Sequence, residues 1–216
     1  MSTYILVDTA NTFFRARHVV RGSIDDKVGM ALHITLSGVK KAWKDFDADH
    51  VVFCLEGRSW RKDVYEPYKK NRKVVLDKRS PREQEEDQYW WEAYDDFLDY
   101  LQEQTNSSAI RSSVAEADDV IALWIEAHKD SKNVIVSTDS DFYQLISPTV
   151  NLYNGMTNQI VTANGFYDEK DNPVIDKKTN QPKGAPDPEW LLFCLLYTSD
   201  AADDMQCVDL GGRRII

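Results

Sequence analysis

The chain has 216 residues, of which 42% are hydrophobic, and a formal net charge of −10 at pH 7. This apolar content supports one large domain, or one domain and part of another. No apolar run has the length of a transmembrane helix, and the first residues lack the features of a signal peptide, so we expect a cytoplasmic protein that does not enter a membrane. Three cysteines without paired spacing argue against a disulfide framework and against a zinc site.

Two buried strands and a helix are predicted before residue 58. The apolar run TYILVDT starts at Thr3 and leads into Asp8, and the run HVVFCLEG starts at His50 and leads into Glu56. Between them, GMALHITLSGVKKAW (residues 29–43) has apolar residues at helical spacing. Each predicted strand therefore ends at a carboxylate.

A basic segment is followed directly by an acidic one. Residues 58–82 contain ten Lys or Arg against three Asp or Glu, whereas residues 83–100 contain no Lys or Arg. An acidic protein with one concentrated basic segment can bind a polyanion there, although a solvated basic loop explains the same pattern. Residues 82–104 carry an apolar stripe at helical spacing, which predicts a second helix.

The second half of the chain alternates helices and strands. AEADDVIALWIEAH (residues 115–128) predicts a helix, and NVIVSTD (residues 133–139) predicts a third buried strand. Two shorter strands are predicted in residues 150–154 and 159–165. Strands that alternate with helices indicate an α/β fold in which helices flank a mainly parallel sheet.

The C-terminal part of the chain has a different composition. Residues 167–188 are polar and contain Pro and Gly, which indicates a loop or a hairpin. A last helix is predicted to begin at Pro188 with Asp187 as its N-cap. The predicted regions are a core at 1–165 with the basic segment at about 58–104, the start of a second region at 166–193, and a tail at 194–216.

The tail is unlike natural protein sequence. CLLYTSDAADD resembles the conceptual translation of a transposon-type sequencing adaptor, and CVDLGGRRII resembles that of a flow-cell adaptor. The short stretch between them lies where a sample index would be. We therefore expect the natural sequence to stop near Phe193.

Seven carboxylates are candidates for one acidic site. Several follow predicted strands, and an open parallel sheet binds its ligands at the carboxyl ends of its strands. So many carboxylates repel one another unless cations neutralise them, and all-oxygen ligands favour Mg²⁺ or Mn²⁺ over zinc. The candidate metal ligands are Asp8, Glu56, Glu116, Asp118, Asp119, Asp139 and Asp141.

Local structural roles also explain single members of this set. Glu116 fits a capping box with Ser113, and Asp141 fits an N-cap of the short helix FYQLI. On a helix, Glu116 and Asp119 share a face, whereas Asp118 points elsewhere. A structural calcium site is a further alternative, although the spacing is not that of an EF-hand.

Together these motifs resemble the 5′-nuclease superfamily of flap endonucleases and 5′–3′ exonucleases, and its phage-type members most closely, over nearly all of residues 1–193. VDTANTFFRA is similar to the family's opening aspartate motif, and LEGRSWRKDVYEPYKKNR is similar to its aspartate-glycine and tyrosine-lysine block. AEADDVIA and STDSDFYQL are similar to its central acidic motifs. The resemblance implies a PIN-like core with a helical arch, and a C-terminal helix-hairpin-helix clamp that is incomplete or missing here.

The resemblance also implies a reaction, a cofactor and a substrate. The reaction is metal-dependent hydrolysis of DNA phosphodiester bonds in replication and repair, with two Mg²⁺ or Mn²⁺ ions in the full-length protein. A monomer would act on DNA with a 5′ end or a 5′ flap, and RNA–DNA primers are a further candidate substrate. Lys69 and Arg72 would be catalytic, because they would hold the scissile phosphate. The residues expected to contact DNA are Arg15, Arg58, Arg61, Lys62, Tyr65, Tyr68, Lys70 and Lys73.

Departures from the family pattern leave alternatives open. Glu56 stands where the family usually has aspartate. Asp200 and Asp203 match the spacing of a later metal-binding motif, but they lie in the adaptor-like tail without its glycine and asparagine, which indicates coincidence. Tyr65 and Tyr68 fit packing within the arch as well as base stacking. The alternative functions are a non-catalytic DNA-binding fragment and a PIN-type ribonuclease, although small domains of that type usually lack a long basic arch.

Overall fold

The computed structural model describes residues 1–17, 21–69 and 78–188. The predictions that lie outside these residues concern Lys70, Arg72, Lys73, Asp200, Asp203, the helix that follows Pro188 and the tail at 194–216. No helix within the described ranges combines the length and the apolar character needed to cross a membrane.

A seven-stranded sheet forms the centre of the protein, in the order β3-β2-β1-β4-β5-β6-β7. The strands from β3 to β5 in this order pair in parallel, and β6 and β7 are added antiparallel. The predicted α/β fold with a mainly parallel sheet is therefore confirmed. The strands are β1 (Thr3–Asp8), β2 (His50–Leu55), β3 (Ser108–Arg111), β4 (Lys132–Val136), β5 (Val150–Asn154), β6 (Gln159–Thr162) and β7 (Gly165–Tyr167).

Helices connect the parallel strands. Among the described helices, three begin with a capping box, whose N-cap residues are Ser23, Ser80 and Glu116. The apolar stripe predicted for the second of these is buried, which confirms its orientation: Trp90, Tyr94, Phe97, Leu98 and Leu101. The helices are α1 (Thr9–Ala16), α2 (Ile24–Asp45), α3 (Arg61–Val64), α4 (Pro81–Gln104), α5 (Ala117–Ala127) and a 3-10 helix at Ser140–Leu145.

The sheet has a hydrophobic core on each face, because alternate residues of its strands point to opposite sides. Ile5 and Val7 of β1 pack with α1, α2 and α4, whereas Leu6 packs with α5 and the 3-10 helix. In the first core, the Phe13 ring is fully buried and lies 5.6 Å from the Trp90 ring, measured between centroids. The central strands are thus covered on both faces, which explains their continuous apolar sequences.

The strand order changes direction between β1 and β4, the position at which an open parallel sheet binds its ligands. The chain adds β2 on one side of β1 and later adds β4 on the other, so the connections diverge at the carboxyl ends of β1 and β4. Asp8 ends β1 and lies opposite the buried Cys54 of β2. Ser137 directly follows β4. The parallel sheet therefore brings the residues that follow β1, β2 and β4 to the same edge.

Candidate active site

Asp8 is one of the two buried candidate carboxylates, with 7% of its surface exposed. Its Oδ2 accepts a hydrogen bond from the Ser137 hydroxyl (2.8 Å), and its Oδ1 accepts one from the Asn11 backbone N–H (3.4 Å). Burial raises the pKa of Asp8 to about 7, and the nearby carboxylates of Glu56 and Asp139 add to this effect. The fold therefore holds an acid whose negative charge lacks full compensation.

Asp139 and Asp141 follow β4 at the same edge of the sheet. The Asp139 carboxylate is the N-cap of the 3-10 helix and accepts a hydrogen bond from the Asp141 backbone N–H at 2.9 Å. The alternative in which Asp141 caps this helix is therefore wrong. Burial raises the pKa of Asp141 to about 6, and the charges of Asp139 and Asp118 contribute.

Glu56 and Asp118 approach this group from the other side. Glu56 follows β2 and accepts a hydrogen bond from the Ala117 backbone N–H at 3.4 Å. Desolvation raises the pKa of Glu56, and the charges of Asp118 and Glu116 raise it further. Desolvation likewise raises the pKa of Asp118, with a further contribution from Glu116. Asp118 is thus electrostatically coupled both to Glu56 and to Asp141.

Glu116 is buried and surrounded by donors from the basic segment. Its carboxylate accepts hydrogen bonds from Ser59 Oγ (2.8 Å), Tyr68 Oη (2.8 Å) and Lys69 Nζ (2.6 Å). Burial alone would raise the pKa of Glu116, but the hydrogen bonds from Lys69, Tyr68 and Ser59 outweigh it, so the pKa is lowered. The negative charge of Glu116 is therefore compensated by neighbouring donors, whereas that of Asp8 is not.

Asp119 is also paired with the basic segment. Arg61 donates to both of its carboxylate oxygens at 2.8 Å, and the Glu116 backbone N–H donates to Asp119 Oδ2 at 3.2 Å.

Glu116 is itself the N-cap residue of α5. The alternative in which Glu116 completes a capping box with Ser113 is therefore wrong.

The other residues expected to contact DNA differ in how exposed their side chains are. Arg58 is exposed and pairs with Asp63, whereas Lys62 and Tyr65 are exposed on the same segment. Arg15 is also exposed and borders a small groove beside Thr12, Thr138 and Met156. Arg61 and Tyr68 are less exposed, and both contact Glu116.

The donor set suits a hard divalent cation. The carboxylates of Asp8, Glu56, Asp118 and Asp141 have raised pKa values, partly because they repel one another, and a cation would relieve this repulsion. Across residues 1–17, 21–69 and 78–188, no three His, Cys, Asp or Glu side chains are already arranged to share one ion. Binding would therefore require small side-chain movements.

Three polar residues support the site but were not singled out from the sequence. Ser137 and Ser59 donate to Asp8 and Glu116, respectively. Asn11 Oδ1 accepts hydrogen bonds from the backbone N–H and the hydroxyl of Thr138, at 3.2 and 2.8 Å, which links α1 to the loop after β4. Each of the three lies within three residues of a candidate ligand, and that proximity was the signal available in the sequence.

Comparison with known sequences finds similarity to 5′ nucleases. A family model described as "5′-3′ exonuclease, N-terminal resolvase-like domain" matches residues 3–172. The flap endonuclease Xni of Shewanella loihica is 30% identical over 168 residues, which cover 75% of this chain and 59% of that relative. DNA polymerase I of Rhizobium leguminosarum is 28% identical over 217 residues, which cover 93% of this chain and 18% of that protein. The chain thus spans about 59% of the length of the flap endonuclease relative.

Solved structures show the same fold. The 5′-exonuclease of bacteriophage T5 with bound zinc superposes with a TM-score of 0.63 at 22% identity, covering 74% of this chain and 58% of that one. A complex of the bacteriophage T5 flap endonuclease with DNA and metal ions gives a TM-score of 0.60 at 22% identity, with the same coverage. At this identity the likeness establishes the arrangement of strands and helices.

Proposed function

Because the chain belongs to the family of 5′-3′ exonuclease N-terminal, resolvase-like domains, we propose that it is a divalent-metal-dependent 5′ nuclease that hydrolyses phosphodiester bonds in DNA. One observation carries the proposal: carboxylates from three strand ends and from the start of α5 lie at one edge of the sheet, and Glu116 at the start of α5 contacts Arg61 and Lys69 of the basic segment. Such a site combines ligands for a metal with contacts for a phosphate.

The proposed metal ligands are the carboxylates that accept no hydrogen bond from the described residues of the basic segment, 58–69 and 78–82. A bound Mg²⁺ or Mn²⁺ supplies a water of lowered pKa and neutralises the charge of the leaving oxygen, and the complete protein would hold two such ions. The pKa of Asp8, about 7, leaves its carboxylate largely ionised in mildly alkaline solution, where it can act as a ligand. The proposed set is Asp8, Glu56, Asp118, Asp139 and Asp141.

Lys69 is the residue proposed to hold the scissile phosphate. Its ammonium group is 2.6 Å from Glu116 Oε1 and 5.2 Å from the centre of the Tyr68 ring, so it is fixed at the border between the carboxylates and the basic segment. A cation in this position stabilises the negative charge that increases on the phosphate oxygens in the transition state. The exposed Arg58 and Lys62 would add phosphate contacts that do not read sequence.

The proposed substrate is DNA with a 5′ end or a 5′ flap. The names of the relatives, flap endonuclease and 5′-exonuclease, support this choice. RNA–DNA primers are a second proposed substrate. The reaction would serve DNA replication and repair, and it would take place in the cytoplasm. We propose that the protein acts as a monomer.

The proposal is tested with a DNA duplex that carries a labelled 5′ flap. We expect release of the flap with Mg²⁺ or Mn²⁺, no release with EDTA, and loss of at least about 100-fold in rate for Asp8→Asn, since this change removes a ligand. Asp130→Asn is the matched control, because Asp130 is exposed and precedes β4 at the opposite edge of the sheet. It should cleave as the wild type does.

Two outcomes would contradict the proposal, and each would support one of the alternative functions. Binding of the flap DNA without cleavage, with either metal, would identify a non-catalytic DNA-binding fragment. Cleavage of a single-stranded RNA of the same sequence, with no cleavage of DNA, would identify a PIN-type ribonuclease.

A further inference from the structure

Arg61 is held by carboxylates of the protein itself. Its guanidinium donates two parallel hydrogen bonds to Asp119, each 2.8 Å, and a third contact of 3.2 Å to Glu116 Oε2. It also lies 5.1 Å from the centre of the Trp60 ring and 5.9 Å from that of Tyr68. A bidentate Arg–carboxylate pair is strong and directional. A guanidinium bound in this way has few donors left for a DNA phosphate.

The chain that leads to Arg61 is fixed to the same part of the protein. A Cβ atom on Gly57 would lie 2.0 Å from the Ser112 carbonyl oxygen and 2.4 Å from that of Ala115, so the backbones touch at this point. Ser59 is 2% exposed and donates to Glu116. The base of the basic segment is therefore joined to the start of α5 by backbone packing and by side-chain hydrogen bonds.

We propose that the Arg61–Asp119 pair is a positioning device, which fixes the base of the basic segment to the start of α5 and thereby sets the place of Lys69 relative to the metal-binding carboxylates. This inference rests on the proposed nuclease function. It reassigns two residues: Arg61 positions the segment and does not contact DNA, and Asp119 holds Arg61 and does not bind metal. Glu116 and Asp119 both pair with the basic segment. Asp118 makes no such pair with the described residues, and it is therefore the proposed metal ligand in this stretch.

The first experiment separates positioning from DNA binding by comparing Arg61→Gln with Lys62→Gln in the 216-residue chain. Lys62 is the adjacent basic residue and is exposed. For Arg61→Gln we expect the single-turnover cleavage rate at saturating DNA to fall by about 10- to 100-fold, since small misplacements of catalytic groups have effects of this size. The salt dependence of DNA affinity, measured with Ca²⁺, should not change.

For Lys62→Gln, at a proposed phosphate contact, we expect a salt slope lower by about one and a loss of rate at saturation that is smaller than that of Arg61→Gln. If Arg61→Gln lowers the salt slope by the same amount and keeps its rate at saturation, Arg61 is a phosphate contact and the proposal is wrong. Arg61→Lys retains the charge but not the bidentate geometry, so it should not restore the rate. Full activity of Arg61→Lys would also contradict the proposal.

The second experiment tests whether the two residues act as a unit. We expect Asp119→Asn and the double variant Arg61→Gln/Asp119→Asn to cleave about as slowly as Arg61→Gln alone, because either change breaks the same pair. Rate losses that multiply in the double variant would contradict this.

Direct titration with Mn²⁺ then assigns the ligands. Asp118→Asn should weaken Mn²⁺ binding by about tenfold or more, whereas Asp119→Asn should stay within about threefold of the wild type. Equal weakening by both changes would make Asp119 a ligand and overturn the assignment.

Failure of the proposed function gives a different result. If the wild-type chain neither binds Mn²⁺ nor cleaves DNA, the nuclease proposal is wrong, and the pair is then judged by urea unfolding of the two single variants and the double variant. A coupling between Arg61 and Asp119 in the free energy of unfolding supports the structural link, and additive effects overturn it.

Discussion

At the scale of single residues, Asp8 shows how the fold prepares a site at a cost in stability. A carboxylate this buried is normally paired with a cation, whereas Asp8 has a serine hydroxyl and a backbone N–H as partners and Glu56 and Asp139 nearby. Its ionisation therefore destabilises the folded protein until a cation binds. The same property that makes Asp8 unfavourable in isolation makes it a good ligand.

Asp8→Asn should therefore stabilise the protein in the presence of a chelator at alkaline pH. The pKa of Asp8 is raised from 3.8 to about 7, so between these values the folded protein keeps a proton that the unfolded chain has released. The contribution of Asp8 to the free energy of unfolding thus falls as pH rises across this window. We expect Asp8→Asn to be more stable by roughly 1–3 kcal/mol at pH 8 and about equal near pH 4, measured by urea unfolding with EDTA.

Asp130→Asn is again the control and should follow the wild type at both pH values. Addition of Ca²⁺ at pH 8 should stabilise the wild type more than Asp8→Asn, because only a species that binds the folded state adds stability. A difference in stability between Asp8→Asn and the wild type that stays the same from pH 4 to pH 8 in EDTA would contradict the role given to Asp8.

Lys69→Ala should reduce turnover far more than binding. The ammonium group is fixed beside Glu116 at the carboxylate site, so its charge acts mainly on the transition state. We expect the cleavage rate at saturating DNA to fall by about 100-fold or more, while the DNA affinity stays within about threefold. Rate and affinity are measured on the same flap substrate.

Arg58→Ala provides the comparison, because Arg58 is exposed on the same segment. This change should weaken binding and reduce its salt dependence by about one contact, with little effect on the rate at saturation. Similar losses of affinity in both variants would show that Lys69 and Arg58 do not differ in role.

At the scale of elements, the sequence predicted those whose pattern is long and regular. The three central strands were found because β1, β2 and β4 are continuous apolar runs buried on both faces. β3 was missed, since Ser108–Arg111 has four residues and no apolar run. α1 was also missed: it is short, contains Thr9 and Thr12, and depends on Asp8 as its N-cap.

The faces of the carboxylates at the start of α5 were only partly predictable. Helical spacing places Glu116 with Asp119 and separates Asp118. The structure makes Glu116 an N-cap residue outside the helix, and it pairs both Glu116 and Asp119 with Arg61. Such pairings join residues more than 50 positions apart, and no local pattern in a single sequence encodes them.

Gly57→Ala should destabilise the protein strongly, because the added methyl group would overlap the carbonyl oxygens of Ser112 and Ala115. We expect a loss of about 3 kcal/mol in the free energy of unfolding. Gly29→Ala in α2 is the matched control: nothing lies within 4 Å of the new Cβ, and a gain of about 0.5–1 kcal/mol is expected there. Equal effects in urea unfolding would show that the contact at Gly57 is not tight.

At the scale of the whole molecule, the suspected adaptor-derived tail stays a prediction. A segment that was never selected to pack against the core should add little to stability. We expect deletion of residues 197–216 to change the free energy of unfolding by no more than about 0.5 kcal/mol, the range of ordinary surface changes. The deletion, the 216-residue chain and a gene that continues natively beyond Phe193 are compared by urea unfolding and by Mg²⁺-dependent flap cleavage.

One outcome would reverse this interpretation. If the 216-residue chain cleaves as fast as the longer protein and loses its activity on deletion, Asp200 and Asp203 contribute to the site. The adaptor interpretation would then be wrong.

Because the register places Cys54 opposite Asp8, the rate at which Cys54 is labelled reports how often this part of the sheet opens. The Cys54 thiol is fully buried, and burial raises its pKa to about 12, so an alkylating reagent reaches it as a reactive thiolate only when the centre of the sheet opens. In a variant with Cys194→Ser and Cys207→Ser, the labelling half-time would measure how often the strand beside Asp8 opens. A cation that binds Asp8 would lengthen this half-time, and metal occupancy could then be followed without DNA and without catalysis.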